Sequence, residues 1–162
     1  LLHAATMVTA GVFLITRCNI LFYSSYGIAI YVLFIGATTS LFASIIGYFQ
    51  NDMKKIVAYS TCSQLGYMFC ATGMHSYDYA MFHLFNHAFF KALLFLSSGY
   101  LIHIFSNEQN IRYLGGFIKI VPLPYICFVI GSFSLIGLPF LSGFFSKDVI
   151  VEKLGSIHYI FF

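Results

Sequence analysis

The chain has 162 residues, of which 60% are hydrophobic, 20% aromatic and only 8% charged. That composition excludes an ordinary soluble domain, and a net charge of +3 with no basic run excludes a nucleic-acid-binding surface. At about 20 residues per crossing of a roughly 30 Å bilayer core, the length allows about five spans in a single integral membrane domain.

The sequence opens on Leu1-Leu2-His3 with no initiating Met, no basic n-region and no small-residue cleavage motif, so it reads as the interior of a helix and not as a signal peptide. A first span is expected over residues 1–22, with Arg17 near its far end; His3 at its head is either a satisfied polar contact or a relay group. A second span is expected over 28–49, where Gly36, Ser40 and Ser44 recur every four residues and make a small-residue face for close helix packing. After the charged loop 50–55 comes a third span, 56–73. Its Ser60, Ser63 and Gln64 share a face at i, i+3 and i+4, a pattern that favours interhelical hydrogen bonding over a water-lined wall.

The fourth span, 79–105, carries the most informative pattern in the chain. His83, His87 and Lys91 stand four residues apart inside an apolar run, so a helix places all three on one face, with about 12 Å of axis between the first and the last. Lys91 lies near mid-span, where a cation in lipid costs several kcal/mol and snorkelling to the interface is hard. A lone histidine there often only hydrogen-bonds a neighbouring helix; a stripe that includes a lysine points to proton or ion handling.

Beyond a polar connection, 106–116, a fifth span is expected over 119–154, opened by Pro122 and Pro124 and broken around Gly137-Leu138-Pro139 and Gly143. Broken membrane helices free backbone groups that are tolerated only against protein or a wet cavity, and they point to ion sites. Lys147 and Asp148, past the break, are either an interfacial pair or intramembrane groups. Residues 157–162 start a further apolar segment. Lys54, Lys55, Arg112 and Lys119 share one side, which the positive-inside rule assigns to the cytoplasm or matrix. Cys18, Cys62, Cys70 and Cys127 lie in apolar segments without C-x-x-C spacing and read as packing thiols. With no Gly-rich nucleotide loop, cluster-ligand set or flavin motif, the chain is expected to bind no metal and no cofactor.

Four segments, taken in order, carry a resemblance: His3-Ala4-Ala5-Thr6, then Asp52-Met53-Lys54-Lys55 continuing to Ser63-Gln64-Leu65-Gly66-Tyr67-Met68, His87-Ala88-Phe89-Phe90-Lys91, and Gly143-Phe144-Phe145-Ser146-Lys147-Asp148. Together they resemble the NADH dehydrogenase subunit 5 family, the antiporter-like membrane subunits of respiratory complex I, whose relatives are large subunits of multisubunit cation/proton antiporters. The resemblance implies an all-α transmembrane bundle of two inverted repeats, each with a discontinuous helix. This chain would hold the last helix of the first repeat and most of the second, with its discontinuity near Pro139.

It further implies that Lys91 is the central proton-carrying lysine, that His83 and His87 belong to its hydrated path, that His3 joins the half-channels, and that Lys147 lies on the discontinuous helix toward the outer side. The serines of the third span and the loop glycines stay structural. The implied function is proton pumping driven by NADH oxidation elsewhere in an assembly of the mitochondrial inner membrane or, alternatively, a bacterial plasma membrane. The implied partners are lipids and the other membrane-arm subunits. The family's first-repeat glutamate and lysine and its lateral helix have no counterpart here, so a second chain from a split gene is expected to supply them, with a truncated chain as the alternative. Two rival functions are a cation/proton antiporter subunit without NADH chemistry and a structural membrane spacer.

Overall fold

A computed structural model describes residues 6–24 and 26–158, and the described residues form helices and connections with no strand. The helices are α1 (Val8–Arg17), α2 (Asn19–Tyr23), α3 (Tyr26–Tyr48), α4 (Met53–Gly73), α5 (Tyr77–Ile104), α6 (Phe117–Ile120), α7 (Pro122–Ile136) and α8 (Val149–His158), with a π-helical turn at Phe144–Asp148 leading into α8. Two of them, α3 and α5, are long and apolar enough to cross a membrane. In place of one continuous first span, the chain leaves the helical conformation at Cys18 (φ −91°, ψ 24°), between α1 and the short α2.

Helix α4 is the hub: α1, α3, α5 and α8 all pack on it, and α1 also packs on α5. The α3–α4 seam is made by missing side chains. A Cβ on Gly66 would lie 2.7 Å from the carbonyl oxygen of Gly36 and 2.7 Å from the backbone nitrogen of Ser40, so the two backbones touch there and only glycine fits. The seam continues through buried Ala43 to Gly47, which faces Tyr59, while Ser44 is exposed. The expected four-residue repeat therefore becomes 36, 40, 43, 47. A helix has 3.6 residues per turn, so a strict step of four drifts off the contact line and a step of three restores it.

Two small apolar clusters hold α1 and α8. Val12 of α1 packs with Leu65 and Met68 of α4, and Ile150 of α8 packs with Ala71 and Ala80. At one end of the bundle the α3–α4 and α5–α6 connections are stitched together. Met53 N–H donates to the Gln109 carbonyl and Ile111 N–H to that of Asn51, both at 2.9 Å. The exposed Lys55–Asp52 pair (2.8 Å) sits beside this stitch and is the one ion pair among the described residues.

The break after α7 has a clear local cause. Gly137 takes the left-handed conformation (φ +92°), its N–H and that of Leu138 both return to the Phe133 carbonyl, and Pro139 follows, which cannot continue the helix. Gly143 then passes so close to the Ser134 carbonyl that a side chain there would collide with it. The returning chain is thereby folded back onto the end of α7, and the π turn that follows presents Ser146 inward, fully buried. Of the four cysteines, only Cys70 has the buried position expected of packing thiols, with its Sγ 3.6 Å from the Leu33 carbonyl. Cys62 is exposed.

Candidate functional site: a buried lysine and histidine stripe

His83, His87 and Lys91 all point into the bundle, with exposures of 0%, 1% and 0%. The outer face of the same helix, with Phe82, Phe85, Phe89 and Leu96, is apolar and exposed. Helix α5 therefore segregates its polar groups by angle, as the four-residue spacing requires.

Lys91 Nζ donates to the carbonyl oxygen of Val57 (2.8 Å) and to Ser60 Oγ (2.6 Å), both on α4, and lies 5.8 Å from the centre of the Phe95 ring. Both acceptors are neutral, and Lys91 has no carboxylate partner among the described residues. An ammonium carries three donors, so one N–H remains beyond these two bonds. Ser60 Oγ in turn lies 2.9 Å from the Val57 carbonyl, which it can use as its own acceptor.

Both ring nitrogens of His83 are engaged. Nε2 is 3.1 Å from Gln64 Oε1 on α4 and Nδ1 is 2.9 Å from Ser146 Oγ on the π turn. Gln64 Oε1 only accepts, so Nε2 carries the hydrogen of the neutral ring, and Nδ1 accepts the Ser146 hydroxyl. His87 lies between His83 and Lys91. Its ring centre is 6.2 Å from that of His83 and 5.3 Å from that of Phe90, and neither of its buried nitrogens has a hydrogen-bond partner among the described residues. A buried polar group left in that state costs about 1–3 kcal/mol, so His87 stays where it is against its own solvation preference.

Lys147, the other lysine singled out in the sequence, is half-buried and makes no hydrogen bond to the stripe among the described residues. Its Nζ is 3.3 Å from the Ile136 carbonyl freed by the break and 5.6 Å from the centre of the Tyr67 ring. His3 lies outside the described residues. Of Ser60, Ser63 and Gln64, read from the sequence as interhelical hydrogen-bonding groups, Ser60 and Gln64 bond across helices to the lysine and histidine of the stripe, while Ser63 donates to the Ser60 carbonyl of its own helix. Ser146 was not singled out at all, although it follows the Gly143-Phe144-Phe145 stretch that marks the break. Among the described residues no three His, Cys, Asp or Glu side chains gather as a metal site would need.

The stripe couples its titratable groups electrostatically. One positive charge arriving a helical turn away, at roughly 6 Å and an effective dielectric of about 20, changes the proton affinity of its neighbour by about 3 kcal/mol, on the order of a hundredfold. Protonation at one site of this row is therefore felt strongly at the next.

The family model described as NADH:quinone oxidoreductase/Mrp antiporter, transmembrane, matches residues 1–162. The NADH-ubiquinone oxidoreductase chain 5 of Phytophthora infestans is 61% identical over 153 residues, covering 94% of this chain and 23% of that protein. Those of Marchantia polymorpha and Arabidopsis thaliana are 58% and 59% identical over 152 residues, with the same two coverages. The chain thus spans about a quarter of the length of the curated relatives it matches, and these relatives carry the name to which its four motifs point. With a helical bundle, a broken helix and a buried basic stripe beside a match over its full length, the chain belongs to the NADH:quinone oxidoreductase/Mrp antiporter transmembrane family.

Proposed function

We propose that the chain is the proton-carrying part of an antiporter-like membrane subunit of respiratory complex I, in the mitochondrial inner membrane, coupling NADH:ubiquinone oxidoreduction to proton pumping. Lys91 is the storage site, His87 and His83 lead from it toward the broken helix, and Lys147 receives the proton beyond the break. His3 is the entry group from the neighbouring repeat. In this reading the chain binds no cofactor, and electrons pass through other subunits. Its partners are the other membrane-arm subunits and the surrounding lipid.

The observation that carries the proposal is Lys91: a fully buried cation bound to two neutral oxygens and in line with two buried histidines. A lysine kept only for structure would be expected to reach a carboxylate or the interface, because an unpaired buried charge costs several kcal/mol. A cation/proton antiporter subunit is the second reading, since the matched family includes antiporters.

The two readings separate in sealed vesicles from the native membrane, after the complex that contains this chain has been purified. NADH:quinone activity in that complex, with proton uptake driven by NADH, is the expected result. A complex without NADH activity that moves protons on a sodium gradient would replace the proposal with the antiporter reading.

A further inference from the structure

His83 has two hydrogen bonds, and they differ in what they can do with a proton. The Gln64 carbonyl oxygen accepts a hydrogen bond and does not pass a proton on, so the Nε2 contact holds the ring in place and leads nowhere. The Ser146 hydroxyl both accepts and donates. It lies 2.9 Å from Nδ1 and also 3.2 Å from the Ser142 carbonyl oxygen, one turn back along the re-entering chain. Ser146 is fully buried, sits on a π turn, and immediately precedes Lys147. π turns inside helices recur at functional positions because the extra residue re-aims side chains.

We infer that Ser146 is the proton port of His83, the hydroxyl through which the ring exchanges protons with the Lys147 side of the break, and that Gln64 is the positioning residue that holds the ring to it. This rests on the proposed function and names the group that joins its stripe to its broken helix.

The exchange balances with a neutral water on the Lys147 side as its one co-reactant. The protonated ring donates from both nitrogens, to Gln64 Oε1 and to Ser146 Oγ, while the serine hydrogen points to the Ser142 carbonyl. Nδ1–H then breaks as its proton passes to Ser146 Oγ and the serine gives its own proton to that water, leaving a neutral ring, an unchanged serine and a protonated water on the Lys147 side. No heavy atom has to move, so both charge states of His83 fit the same surroundings.

The test compares Ser146→Ala, Ser146→Cys, Ser146→Thr and Lys91→Ala in the assembled membrane complex, reading protons moved per NADH oxidised alongside the amount of complex. Alanine and the nearly isosteric cysteine, a weak hydrogen-bonding group, are expected to lower pumping by about tenfold at normal assembly, whereas threonine, which keeps the hydroxyl, stays within about twofold of the original. A packing role would give the opposite order, with cysteine tolerated and threonine not. Pumping unchanged in the cysteine variant while Lys91→Ala has lost it overturns the port and leaves the proposed function standing. Pumping unchanged in Lys91→Ala overturns the proposed function itself. Where alanine fails to assemble, the cysteine variant decides.

Discussion

Helices α3 and α5 are the two longest apolar helices in the molecule, both pack on α4, and both turn a row of large apolar side chains outward: Tyr31, Phe34 and Phe42 on the one, Phe85, Phe89 and Tyr100 on the other. They differ in what they turn inward. Helix α3 contains no Lys, Arg, Asp, Glu or His and meets α4 by backbone contact at Gly36 and Gly66. Helix α5 buries a lysine and two histidines and meets α4 through hydrogen bonds to Val57, Ser60 and Gln64. One seam is closed by shape and stays the same whatever the charge state. The other carries side chains of titratable type, one lysine and two histidines, and it is there that the proposed proton path would run.

The comparison breaks if the α5 seam turns out to need only a positive charge. Lys91→Arg keeps the charge and a set of donors but not the ability to release a proton, so it is expected to lose pumping by about a hundredfold, as loss of a proton-transfer group does. Arginine pumping at the original rate would make the seam a fixed charge. His87→Leu sharpens the contrast from the other direction. It removes a ring with two unpartnered buried nitrogens, so the amount and thermal stability of the complex should hold or rise, while pumping falls by about tenfold. A stability loss without a pumping loss would mark His87 as packing.

On the α3 side the expected effects reverse. Gly66→Ala forces a methyl group against the Gly36 carbonyl and Ser40, at a cost of about 1–3 kcal/mol, and should lower the melting temperature of the complex while the proton yield of what remains stays normal. A changed proton yield at normal stability would mean that the two seams are coupled. Lys55→Ala is the smallest test. Its ion pair with Asp52 is exposed and lies beside loops already joined by backbone hydrogen bonds, so neither assembly nor pumping should change.

The stripe was legible in the sequence because helical periodicity is local: three residues four apart share a face whatever surrounds them. The break at Gly137, Pro139 and Gly143 was legible for the same kind of reason, since left-handed backbone and the proline ring act within a few residues. The partners were not. Ser60 meets Lys91 across 31 residues and Gln64 meets His83 across 19, and no local rule sets those registers. Ser146 was missed because charge drew the reading to Lys147, while the π turn puts the hydroxyl against His83 and sends the ammonium to the Ile136 carbonyl. The α3 seam kept its chemistry but changed its residues, from Ser44 to Ala43 and Gly47, because a four-residue step is only an approximation to the helical repeat.

Lys91→Ala is the most direct test of the stripe as a proton path. The substitution leaves no orphaned partner, because Ser60 Oγ and the Val57 carbonyl are already 2.9 Å apart, so the complex should assemble. Protons moved per NADH oxidised, measured in sealed vesicles at equal amounts of complex, should fall well below the original value. The original proton yield in that variant would contradict the account.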